Sequence, residues 1–303
     1  MAQRLRRTLG KRVGAIPRRF ESCLLRSSEQ DFFASFLLDR NFRVYKSALP
    51  LKIAMQFCLR GPTILMRIIF LNSWFGKAGK PLFDFVKSES SKTDIFCFME
   101  VSSGLFKECS AVLSDFGSIY DKGMVLKVFG VNCGQAIFVN KKIKILSNGK
   151  LNIYRQLSYD MGFMQFMEVK SQNGTFWIGS VDGKTRPGDK RDTQTRIKQS
   201  KKIIDFFKDK KGPKIIGGDF NLDLGTKSVK MFEEAGYTNL IKKFDIKNTR
   251  NILCWEQFKN LPGFTKQHYA DFCFTSQEVK VNEFQVPYME ISDHLPLILD
   301  FEV

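Results

Sequence analysis

Histidine is almost missing from this chain, with two in 303 residues. Any imidazole chemistry therefore rests on His268 or His294. Long apolar runs are missing too. The most apolar region, 48–71, is interrupted by Lys52, Arg60, Pro62 and Arg67. That leaves no stretch of about 18 apolar residues able to span a membrane. A short apolar signal-peptide core with a small-residue cleavage site is also lacking. The seven cysteines form an odd set with no Cys-x-x-Cys pair, which argues against zinc held by thiolates. Cys97 and Cys273 fall inside strand-like runs, as buried reduced thiols do, so a reducing, cytoplasmic setting is expected. No internal repeat or low-complexity linker follows residue 66.

Charge is abundant but unevenly made. Residues 1–65 carry 10 Arg and 3 Lys against 4 acids, and residues 66–303 carry 6 Arg and 29 Lys against 27 acids. The preferred cation thus switches from Arg to Lys near Met66, where the first strand-like run, 66–72, begins. The boundary separates an Arg-rich extension, 1–65, from a domain of one large core, 66–303. The extension reads as a targeting segment, as a basic arm for nucleic acid or anionic lipid, or as the product of a start codon chosen upstream of Met66. The start-codon reading ranks first, because the switch falls at an in-frame methionine. Two stretches in it, 30–38 and 53–59, look helical.

From Met66 onward, strand-like runs are expected near 66–72, 94–100, 124–131, 134–140, 152–158, 163–169, 175–181, 214–218, 270–275, 279–285 and 297–302. Helix-like runs are expected near 80–89, 103–116, 195–209 and 227–235. So many strands exceed one ordinary sheet, and two sheets packed face to face with helices outside would bury them.

The most telling segment is Ile215-Ile216-Gly217-Gly218-Asp219-Phe220-Asn221. An apolar pair runs into two glycines, then an acid and an amide two residues apart, which point the same way in an extended chain. Near the C-terminus, Ser292-Asp293-His294 sets an acid beside an imidazole. Asn72 closes one apolar run and Glu100 another. Four strand-like runs each bordered by a carboxylate, amide or imidazole suggest one polar cluster at the strand ends.

That series, together with Asp271 in Tyr-Ala-Asp-Phe, resembles the endonuclease/exonuclease/phosphatase superfamily, which includes deoxyribonuclease I-like and exonuclease III-like enzymes. The resemblance covers about 66–303. It implies an α/β fold, a four-layer sandwich of two mainly antiparallel sheets flanked by helices. It also implies hydrolysis of phosphate esters with Mg²⁺, or Mn²⁺ as a substitute. Glu100 is the best candidate metal ligand, since Mg²⁺ takes hard oxygen donors. By resemblance, Asn72 and Asp293 complete the metal environment. Asp219 orients or deprotonates the attacking water, Asn221 donates to the phosphate, and His294 contacts it, with Asp271 fixing the ring.

One departure stands out. Where the superfamily carries Asn-x-His, this chain has Ser180-Val181-Asp182. An ionised Asp182 would repel phosphate, or would bind a metal instead. The loop that follows holds Lys184, Arg186, Lys190 and Arg191, and Arg186 and Lys190 are candidates to grip the substrate backbone. His268 is a second, weaker candidate for the missing imidazole. The expected function is phosphodiester hydrolysis on nucleic acid by a monomer, since an excess of cations favours a polyanion. The alternatives are a catalytically weak phosphate-binding module of the same fold, or a phosphatase acting on a nucleotide or phosphoinositide.

Overall fold

The computed structural model describes residues 65–126, 131–155, 161–172, 174–260 and 263–303. The extension expected before Met66, with its two helix-like stretches, lies outside the described residues apart from Leu65.

Strand β1 (Met66–Asn72) is apolar almost throughout because both of its faces are covered. Its residues alternate between two clusters, as the period of two requires. Ile68 and Phe70 join a large cluster between the sheets. Ile69 and Leu71 join a second cluster with Leu82, Phe85 and Val86 of helix α1 (Lys80–Glu89) and Leu105 of α2 (Ser103–Val112). Six strands make the first sheet, in the order β11 (Lys280–Gln285), β12 (Leu297–Glu302), β1, β2 (Ile95–Ser102), β4 (Val131–Asn140), β3 (Phe116–Leu126). The second runs β5 (Lys144–Asn152), β6 (Phe163–Lys170), β7 (Thr175–Asp182), β8 (Lys214–Asp219), β10 (Asp271–Thr275), β9 (Thr238–Asn239).

Each sheet contains one parallel pair, β1 with β2 and β7 with β8, among otherwise antiparallel ladders. The sheets are therefore mixed. Helices α3 (Gln194–Lys208) and α4 (Lys227–Glu234) cover the outside of the second sheet. There Phe232 stacks on Phe274 with ring centroids 4.3 Å apart. The result is the four-layer sandwich, helices outside two sheets. Much of the phenylalanine is core packing. The cysteines of the described residues are free and buried. No helix among the described residues is long and apolar enough to cross a membrane.

Several boundaries differ from expectation. Helix α2 stops at Val112, and the chain is already in β3 at Phe116. Strand β5 lies at 144–152 and not 152–158, because it is a polar edge strand whose residues alternate between exposed and half-buried. An edge strand with so little apolar content gives a weak pattern in sequence. The short helices α5 (Leu240–Lys243) and α6 (Ile252–Phe258) were not anticipated. Asn251, whose side chain accepts from Leu253 N–H at 3.0 Å, was an available cap signal for α6.

Candidate active site

Where β1 and β8 face one another, the sheets approach closely. A Cβ at Gly217 would lie 2.7 Å from the Phe70 ring, so only glycine fits there. Gly218 has φ +125, and a Cβ on it would meet Val181 O at 2.4 Å. Two residues on, with the same faces inward, Asn72 meets Asp219, and its Nδ2 donates to Asp219 Oδ2 at 3.1 Å. The other Asp219 oxygen, Oδ1, accepts from the Asn221 N–H at 2.8 Å. Asn221 itself is in the left-handed region, φ 55. Its Nδ2 donates to Gly183 O at 3.0 Å, which ties it to the end of β7.

Register sets three acids in a row. Asp182 pairs with Asp219 in the β7–β8 ladder, and Asp271 pairs with Asp219 in the β8–β10 ladder. All three are buried. Asp182 lies on the same face of β7 as Ser180, whose hydroxyl donates to Met99 Sδ of β2.

Glu100 reaches the same end of the sandwich by a different device. Strict alternation from Phe96 and Phe98 would aim it at the helices. The β2–β4 register instead shifts between Phe98 and Val101, and Glu100 takes φ 53. A bulge of this kind re-aims a side chain. Glu100 now lines the same cavity as Asp219, Asn221, Asp293 and His294.

The His294 segment is pinned from several sides. Ser292 Oγ donates to Asn72 O at 2.6 Å, and the Asn251 amide donates to Ser292 O at 2.7 Å. Leu295 N–H donates to Thr249 O at 2.8 Å, while Thr249 Oγ1 accepts from the Asp271 N–H at 3.2 Å. His294 Nδ1 sits 2.8 and 3.0 Å from the two Asp271 oxygens. Its Nε2 lies 3.7 Å from Asp219 and 4.0 Å from Asp293. Burial works against a charged ring here. The carboxylates of Asp271, Asp219 and Asp293 outweigh it and lift the imidazole from 6.5 to about 9. That shift favours a charged ring at neutral pH, with Nδ1 engaged by Asp271 and Nε2 facing Asp219 and Asp293.

Burial and the nearby Asp293 push the Glu100 carboxyl up to about 7. Two carboxylates crowded in this way call for a cation between them. With the amide of Asn72 they would offer oxygen donors only, the chemistry that suits a hard divalent ion such as Mg²⁺. Ligand atoms of Asp219, Asp271 and His294 also lie within 4.8 Å of one another. There, however, the His294 Nδ1 is already engaged by Asp271.

Two buried cations lie near the phosphate-facing groups: Lys190, expected from the sequence as a substrate contact, and Arg250, which was not. Lys190 is buried, with φ 59, and its Nζ donates to Asn221 Oδ1. Burial and the neighbouring Arg250 lower it to about 8. Arg250 is buried as well and lies 3.4 Å from Asp293. Arg186 is exposed and lines the cavity. Lys190 is held in place indirectly. The fully buried guanidinium of Arg196 donates to the carbonyls of Lys184, Thr185, Pro187 and Arg191. Those bonds fix the loop 184–191 from beneath. His268 is exposed, and its Nδ1 is 2.5 Å from Asn248 Oδ1. It is not among the cavity residues.

The cavity holds about 450 Å³. Beyond the polar floor it is walled by Trp74, Phe75, Trp255, Phe258 and Phe264.

Two packed mixed sheets with carboxylates, amides and a clamped imidazole at one end define a phosphoesterase-type sandwich. The sequence matches the Endonuclease/Exonuclease/phosphatase family over residues 69–294, and the chain belongs to that family. The fold is shared with an endonuclease/exonuclease/phosphatase family protein from Leptotrichia buccalis. That match has a TM-score of 0.63 and 16% identity, over 78% of this chain and 100% of that one. It is shared with D. rerio TDP2 complexed with single strand DNA product, at TM-score 0.60 and 14% identity, over 79% and 99%. It is shared also with the human Nocturnin catalytic domain with bound sulfate anion, at TM-score 0.58 and 16% identity, over 80% and 96%. At such identities the likeness concerns the fold. No curated protein matches the sequence.

Proposed function

We propose that this chain is a Mg²⁺-dependent hydrolase of phosphodiesters, with nucleic acid as the substrate. The observation that carries the reading is the convergence on one cavity of Glu100 and Asp293 with Asp219, Asn221 and a His294 clamped by Asp271. Glu100, Asn72 and Asp293 would hold the divalent ion. When bound, it neutralises charge on the phosphate oxygens. Asp219, its carboxylate steadied by Asn72 and the Asn221 N–H, accepts the proton of the attacking water. His294 Nε2–H and the Asn221 amide donate to the non-bridging oxygens, where charge builds in the transition state. Asp271 keeps the imidazolium charged and aimed. Lys190 adds positive charge beside Asn221, and Arg186 meets the phosphate backbone at the cavity mouth.

Asp182 stands beside Asp219 in the β7–β8 ladder but is not among the cavity residues, whereas Lys190 and Arg250 are. A carboxylate beside Asp219 disfavours an anionic substrate, while the two buried cations that line the cavity favour one. Asp182 still supports a second reading, a phosphate-binding module with little turnover. One experiment separates the two. The full chain should hydrolyse bis(p-nitrophenyl) phosphate with Mg²⁺, and EDTA should stop it. Saturable phosphate binding with no metal-dependent turnover would replace the first reading with the second.

A further inference from the structure

The aromatic walls of the cavity take no part in the chemistry just proposed. One wall follows β1. Trp74 and Phe75 have φ 48 and 57, a left-handed backbone that large side chains adopt rarely and at a cost. The turn is nonetheless well bonded. Trp74 N–H donates to Asn72 Oδ1 at 3.1 Å, and Gly76 N–H to Ser73 O at 2.9 Å. The strained turn places both rings on the cavity, immediately after the candidate ligand Asn72. The other wall comes from α6 and the loop after it. Trp255 is fixed there by its indole N–H, which donates to Gln267 O at 2.8 Å. Gln257, Thr265 and Gln267 give this wall a polar edge.

We infer that this cavity is a binding subsite for a nucleobase, which lies against the rings while its phosphate meets Asn221, His294 and Lys190. The inference rests on the phosphodiesterase reading and names its substrate as an unpaired nucleotide end. Flat π-faces suit any base and stack on it without reading sequence. A volume of about 450 Å³ is that of a small-ligand pocket, and admits one nucleotide but no length of duplex. A quaternary ammonium, the other common guest of aromatic walls, is disfavoured by charge. The Lys77 ammonium lies 4.9 Å from the Trp74 ring centre, and that of Lys266 lies 3.7 Å from Trp255. A plain phenyl ring offers nothing to the Gln257 and Thr265 side chains on that edge, whereas a base offers donors and acceptors.

Calorimetric titration of the full chain in EDTA, which prevents turnover, tests this with four probes: adenosine 5′-monophosphate, ribose 5-phosphate, O-phosphotyrosine and phosphocholine. The mononucleotide should bind about 10- to 100-fold more tightly than ribose 5-phosphate, the range expected of one stacked base. Trp255→Ala should remove that preference and leave ribose 5-phosphate unchanged. Phe264→Ala, at a half-exposed position, should do so in part and guards against misfolding of the first variant. Equal affinity for the mononucleotide and ribose 5-phosphate, or no binding of the mononucleotide at all, overturns the inference. So does equally tight binding of phosphotyrosine or phosphocholine, which would assign the rings to a phenol or a choline. A base preference without diester hydrolysis would sink the phosphodiesterase reading alone. Hydrolysis without a base preference would sink only this subsite.

Discussion

Replacing Asp271 by asparagine probes the centre of the site with little change in shape. Asp271 lies 2.8 Å from His294 Nδ1 and is the largest of the influences that raise the imidazole to about 9. The rise from 6.5 corresponds to on the order of 3 kcal/mol favouring the charged ring. A hydrogen bond to a charged group accounts for roughly 1.5–3 kcal/mol of such a preference. The imidazole of Asp271→Asn should therefore titrate about one to two pH units lower. Proton NMR of the ring protons reads this directly. The chain has only two histidines, and His268→Gln assigns the remaining signal.

The same substitution has a stability signature. A group whose pKa is raised on folding stabilises the native state fully below its unfolded value. That contribution is lost as pH rises through the folded value. The wild-type protein should thus lose stability between pH 6.5 and about 9, and Asp271→Asn should show much less of that loss. Turnover should fall by about 10²-fold or more, as for other positioned acid–base groups. If His294 titrates at the same pH in both proteins, the clamp does not set its charge and the assigned role of Asp271 is wrong.

Other expectations follow from the same geometry. Glu100→Gln should weaken Mg²⁺ affinity at least about tenfold in a calorimetric titration, since it removes one of the few charged ligands the ion requires. Unchanged affinity would place the metal elsewhere. Asp182→His should raise turnover on a simple diester by about 10-fold or more, because it replaces a repelling carboxylate with a donor. A fall in rate would make Asp182 a working part of the site. The chain 66–303 should melt within a few degrees of the full chain, as a boundary at Met66 requires. An aggregated product would mean that residues 1–65 belong to the fold.

The parts of this site that sequence exposes are those carried on apolar runs. Asp219 and Asn221 follow Ile215 and Ile216 through two glycines, so their shared direction can be read from a period of two. Asn72 and Asp293 lie where apolar runs stop or begin. Glu100 was legible as a residue but not in its direction, because its approach depends on a bulge that breaks the alternation. Arg250 and the burial of Lys190 could not be read. A cation in a basic, polar loop looks the same in sequence whether it faces water or a carboxylate; only the tertiary structure brings these residues to Asp293 and Asn221. The aromatic wall on α6 was hidden for a different reason, since that helix has only seven residues, too few to display a helical period.

The Arg196 anchor has a consequence for how such a site can diverge. Four of its contacts in the loop 184–191 are backbone carbonyls, an atom every residue has. Apart from an ion pair with Asp189 at 3.5 Å, its hold on the path of the loop therefore does not depend on which side chains the loop displays. Residues such as Thr185 and Arg186 can change while the loop keeps its course over the cavity. Substrate preference could then drift by surface substitution alone, with no compensating change in the core. The converse is equally sharp: loss of this one guanidinium, which lines no part of the cavity, would release every cation the loop carries at once.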